Sequence, residues 1–88
     1  MYLHLGQNVV VPTKSVVAVF DMDNTTVSKA TRDYLSKMQK DKKIIDVSLD
    51  LPKSFVLCKD RDSGENVVYI SPISTQTLLK RIQNSKID

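Results

Sequence analysis

The 88-residue chain has one cysteine, one histidine, no tryptophan and two glycines. Each scarcity removes a class of protein. Cys58 has no internal partner for a disulfide, which fits a reducing compartment and a cytoplasmic protein. His4 and Cys58, far apart in the chain, do not make a zinc site. Two glycines leave no glycine-rich loop to cradle a phosphate. No apolar run approaches the ~20 residues that span a bilayer. Residues 1–6 have neither the basic start nor the apolar stretch of a secretion signal, so no membrane association is expected. With three prolines, no low-complexity segment and no internal repeat, there is little room for a linker. The expectation is one domain, residues 1–88, with a core near the small end of what folds alone.

What the chain does have is unevenly placed positive charge. The net charge is +3. Residues 24–43 carry +4, residues 74–87 carry +3, and the remainder sums to −4. The excess therefore sits on two segments with helical spacing, a pattern that suits polyanion partners as well as a solvated surface.

The apolar pattern predicts the elements. Residues 2–5 and 9–11 are β-prone, and Gly6-Gln7-Asn8 between them fits a tight turn or a bulge; the two segments also fit one bent strand. Residues 15–20 form a nearly continuous apolar run, as in a strand buried on both faces. Val27, Ala30, Tyr34, Leu35 and Met38 recur at helical spacing, with Asn24, Thr26 or Ser28 as the N-cap. Ile45, Val47 and Leu49 alternate with polar residues as in a half-exposed strand. Residues 54–59 and 67–71 flank a polar turn and pair as an antiparallel hairpin. Ser74 or Thr75 starts a second helix with Leu78, Leu79 and Ile82 inward and Lys80 and Arg81 outward. The fold class is α+β: a small, largely antiparallel sheet of five or six strands with two short helices.

Catalytic chemistry finds little support. Asp21-Met22-Asp23-Asn24-Thr25 follows an apolar run and precedes a helix, and so resembles the first motif of the haloacid-dehalogenase phosphatases. There Asp21 would be the nucleophile and Asp23 the acid/base. That chemistry needs further carboxylates to hold Mg²⁺ on later parallel strands. The later acidic pair here, Asp60 and Asp62, falls in a hairpin turn. Turn and cap preferences of Asp, Asn and Thr account for the motif. No enzyme activity, cofactor, metal or small-molecule substrate is expected.

The chain as a whole resembles a regulator family. "MYLHLG", "VVAVFDMDNTTVSKATRDYL", "LPKSFVLC" and "VYISPISTQTLLKR" match in order and spacing the bacterial extracellular-matrix regulators of the RemA/RemB family, the RemB branch most closely. The resemblance runs from residue 1 to about residue 82. It implies a small α+β fold that assembles into a ring or other homo-oligomer. It implies a DNA-binding transcriptional regulator of biofilm-matrix genes, with DNA around the outside as for LytTR-type domains. It also implies a RemA-type chain as a candidate partner.

Carried over residue by residue, the resemblance is incomplete. RemA-type chains place adjacent arginines where this chain has Leu51 and Pro52, followed at once by Lys53. A further arginine aligns with Ser15, one position after Lys14. Lysine neutralises a phosphate but lacks the bidentate fork of arginine. Candidate DNA contacts are therefore Lys14 and Lys53 in loops, with Lys29 and Arg32 near the start of the first helix. The alternative is a protein-interaction module that keeps the fold and has lost the DNA surface.

Overall fold

The computed structural model describes residues 1–22, 28–48 and 51–85. Six strands and two helices follow in the order β1 (Tyr2–Gly6), β2 (Val9–Pro12), a 3₁₀ turn (Thr13–Ser15), β3 (Val16–Asp21), α1 (Lys29–Lys40), β4 (Ile44–Asp46), β5 (Ser54–Lys59), β6 (Asn66–Ser71) and α2 (Thr75–Ser85). The α+β class and the two helices agree with the sequence pattern. The strands divide between two sheets: the β1–β2 hairpin and a four-stranded sheet in the order β3-β5-β6-β4. Pairing is antiparallel except for β4 beside β6, which is parallel because α1 carries the chain back across.

Residues 2–12 are a hairpin, not one bent strand. Both turn signals are used: Gln7 adopts a positive φ of 48°, and the register shifts between His4 and Gly6. Gly6 has a φ of +144°, and a Cβ there would lie 2.9 Å from Pro72 Cδ and 3.0 Å from the Val47 carbonyl. The close approach of β1 to the loop before α2 thus requires glycine.

Hairpin register sorts the side chains of the large sheet. Val19 and Val56 pair across the sheet, as do Val56 and Tyr69, and Cys58 and Val67. This face meets Leu3, Leu5 and Val11 from the small hairpin and Leu78 from α2, and together they form the core. Ser54 and Ser71 pair on the same face and are fully buried. Burial is tolerable because each hydroxyl donates, to the Ile73 carbonyl and to the Leu5 carbonyl respectively. These two bonds tie the sheet to the layer above it.

The opposite face carries Ala18, Phe20, Phe55, Leu57, Val68 and Ile70. Of these Val68 is fully buried and the others are half-buried. α1 contributes buried Met38 and half-buried Tyr34 and Leu35, while Ala30 is exposed. Val27 and Leu49 lie outside the described residues.

Three burial expectations are corrected. The run 15–20 is not buried on both faces: β3 is an edge strand, with Val17 60% exposed at an irregularity between Val16 and Ala18. Leu79 faces outward because α2 buries a narrow stripe centred on Leu78. Ile45 is exposed although Val47 is buried, because β4 is the other edge.

Helix ends follow local chemistry. Ser28 caps α1, its Oγ accepting from the Thr31 N–H at 3.1 Å; the alternative caps Asn24 and Thr26 lie outside the described residues. At the other end Lys43 N–H donates to Met38 and Lys42 N–H to Gln39, with Lys42 at φ 58°. That is a Schellman closure with lysine in the left-handed position glycine usually takes. Ser74 caps α2 through the Thr77 N–H. In the β5–β6 turn Gly64, at φ 72°, donates its N–H to the Asp60 carbonyl.

Candidate nucleic-acid interface

Lys14 sits in the 3₁₀ turn between β2 and β3, exposed, beside buried Ser15. The Ser15 hydroxyl donates to the Pro12 carbonyl at 2.6 Å and holds this turn in shape. Lys53 precedes β5. Its N–H donates to the Ser71 carbonyl at 2.8 Å and its carbonyl accepts from the Met22 N–H at 3.0 Å. The backbone is pinned on both sides, and the side chain is left in solvent. Lys29 and Arg32 are exposed in the first turn of α1, which contains no acidic residue. Their charges oppose the positive end of the helix dipole, an arrangement that costs helix stability and favours a nearby anion.

The structure does not gather these four into one site. β3 and β5 are antiparallel, with Val16 opposite Cys58 and Asp21 opposite Ser54. Lys14 therefore lies at one end of this strand pair and Lys53 at the other, roughly 20 Å apart for six residues of strand. Among the described residues none of the four forms an ion pair; the salt bridge there is Lys43 with Glu65, at 2.5 Å. That contact raises the Lys43 ammonium above its ordinary range, through the hydrogen bond first and the charge second.

Lys14 has neighbours that the linear sequence did not single out. An open groove of about 370 Å³ is lined by Lys14, Val17, Lys59, Asp60, Arg61 and Gly64, with Ser15 beneath. In sequence Lys59 reads as the end of a strand and Arg61 as an ordinary turn residue. The signal that connects them to Lys14 is strand pairing: Cys58 faces Val16, so whatever follows Cys58 meets whatever precedes Val16.

The remaining reactive groups are placed structurally. Burial pushes the Cys58 thiol up, against a smaller opposing effect from Ser15. His4 Nε2 lies 2.6 Å from the Gln7 carbonyl and closes the first turn. Asp21 ends β3 at the Ser54 end of the sheet, whereas Asp60 and Asp62 lie at the opposite end, so these carboxylates do not converge. Asp23 lies outside the described residues. Among the described residues no three His, Cys, Asp or Glu side chains group as metal ligands, and no helix is long and apolar enough to cross a membrane.

Comparison with known proteins agrees with the whole-chain resemblance. Residues 2–82 match the family model described as RemA-like, extracellular matrix regulatory protein A-like. The chain is 37% identical over 83 residues to extracellular matrix regulatory protein B of Bacillus subtilis (strain 168), covering 94% of this chain and 91% of that protein. The family match runs from the first residue of β1 into α2, and the chain belongs to the RemA-like family.

Proposed function

We propose that this protein is a DNA-binding transcriptional regulator of extracellular-matrix genes, of the RemA/RemB type, which acts in the cytoplasm as a homo-oligomer. The observation that carries the proposal is the presentation of Lys14 and Lys53. Both are exposed cations on backbone held by hydrogen bonds, in a chain of a regulator family. Lys29 and Arg32 would add contacts from the start of α1. Such residues bind phosphates and position a protein without reading bases. Contacts of this kind leave selectivity to the shape and deformability of the duplex.

Self-association is supported by the separation of the cations and by the open sheet face. One copy offers few phosphate contacts at each end, and a ring would repeat them along the duplex. The half-buried Phe20, Phe55, Leu57 and Ile70 leave apolar surface that a second copy would cover.

Fluorescence anisotropy with a labelled AT-rich duplex across a salt series tests the reading. Tight binding that weakens steeply with salt is the expected result. Lys14→Ala and Lys53→Ala should each reduce the slope by about one unit per protomer in contact with the duplex. Stable self-assembly with no salt-sensitive DNA affinity would instead support the interaction module, with a RemA-type chain as its first candidate partner. The observation favouring that second reading is Leu51-Pro52 in the loop before β5.

A further inference from the structure

We infer that the end of the β5–β6 hairpin is a second backbone-phosphate contact for double-stranded DNA, formed by Lys59 and Arg61 together with Lys14 and separate from Lys53. This rests on the DNA-binding reading and assigns residues to it that the family resemblance does not supply.

Three cations border one open groove there. Among the described residues none of them has an ion-pair partner. The groove also contains a carboxylate, Asp60, but that side chain is occupied by its own turn. One oxygen accepts from the Asp62 N–H at 3.1 Å and the other from the Ser63 hydroxyl at 3.2 Å. Asp62 is exposed and borders the adjoining cleft, which Lys59, Asp60 and Arg61 line as well. Glu65 is paired with Lys43. In the groove three cations outnumber the one carboxylate, and Lys14, Lys59 and Arg61 face solvent. Arg61 brings the planar fork that Lys14 and Lys53 lack and that matches phosphate oxygens two at a time. The hairpin turn is built firmly, by the Gly64 N–H on the Asp60 carbonyl and the Asp60 N–H on the Glu65 carbonyl, both at 2.8 Å. The backbone under the contact is therefore preorganised, and the ordering cost falls on the side chains.

This placement also offsets what the Leu51-Pro52 loop lacks. Positive charge missing beside Lys53 reappears at the other end of the same strand. A duplex touching both ends would run along β5 across roughly 20 Å.

The test uses full-length protein and a labelled AT-rich duplex over a salt series. The double variant Lys59→Gln/Arg61→Gln should lower the slope of log K against log salt by about two units. Lys53→Gln should lower it by about one, and the triple variant by about three, as separate contacts require. Lysine acetylation of the wild-type protein, read by mass spectrometry, should show Lys14 and Lys59 protected by the duplex, a readout independent of any variant's folding. A double variant with the wild-type slope, or Lys59 equally reactive with and without DNA, while Lys53→Gln still lowers the slope, would overturn this contact and leave the DNA reading standing. A wild-type protein with no salt-dependent affinity would overturn both.

Discussion

The two faces of the four-stranded sheet are covered unequally. One meets the β1–β2 hairpin and α2, and its Val56, Ser54 and Ser71 are fully buried. The other meets α1, which buries Met38 and otherwise leaves its apolar residues half in solvent. α2 packs along β1 and β3, whereas among the described residues α1 has no comparably extended contact with a strand. The two helices have similar lengths and similarly amphipathic patterns. The difference lies in the third layer: the small hairpin closes over one face of the sheet, and among the described residues nothing equivalent closes over the other. Stability is thereby concentrated on one side.

That contrast can be broken by mutation, beginning with the core side. Leu78→Ala should cost about 3–5 kcal/mol, because Leu78 is fully buried between the hairpin and the sheet. Met38→Ala, on the open side, should cost about 2 kcal/mol, since its surroundings can relax toward solvent. Urea denaturation of both variants checks the ordering, and equal losses would mean that α1 is as firmly seated as α2.

Gly6→Ala should cost about 2–4 kcal/mol. It forces a side chain into a positive-φ position and against Pro72 and the Val47 carbonyl, and so pries the small hairpin from the core face. The loss would appear in the same denaturation measurement.

Two changes should strengthen the weaker side. Lys42→Gly relieves the left-handed backbone at the end of α1 and should stabilise by up to about 1 kcal/mol. Lys29→Glu complements the positive end of the α1 dipole and should stabilise by about 0.3–1 kcal/mol. If Lys29 contacts phosphate, the same variant should bind DNA more weakly, separating a functional cost from a structural gain.

The smallest effect is in pH. Burial raises both the Cys58 thiol and the Tyr69 hydroxyl, which share the core face. The unfolded chain then ionises first as pH rises, so stability should fall once pH passes the ordinary thiol range and should be unaffected by these groups at neutral pH. Thermal melts from neutral to alkaline pH would show it. Native Cys58 should also resist a thiol reagent at neutral pH and react fully when unfolded.

Much of this was legible in the chain itself. The 54–59 and 67–71 hairpin and the helix over Leu78 follow from period and turn residues, all local properties, whereas the sequence left the cap of α1 open among Asn24, Thr26 and Ser28. The whole-chain match to the RemA-like family likewise needs only the order of residues. Burial was less legible. Residues 15–20 read as a central strand because they are uniformly apolar, but apolar character does not say how many neighbours a strand has. In the fold β3 has one strand neighbour, β5, and Val17 is exposed. The candidate site divides in the same way. Lys14 and Lys53 were legible as loop cations, and the family resemblance singled them out as candidate contacts. That they stand at opposite ends of a strand pair, and that Lys59 and Arg61 join Lys14, depends on contacts between residues more than thirty positions apart. Local chemistry fixes turns, caps and helix faces because its partners are a few residues away. Which charges share a surface is decided by strand register, and that exists only once the sheet has formed.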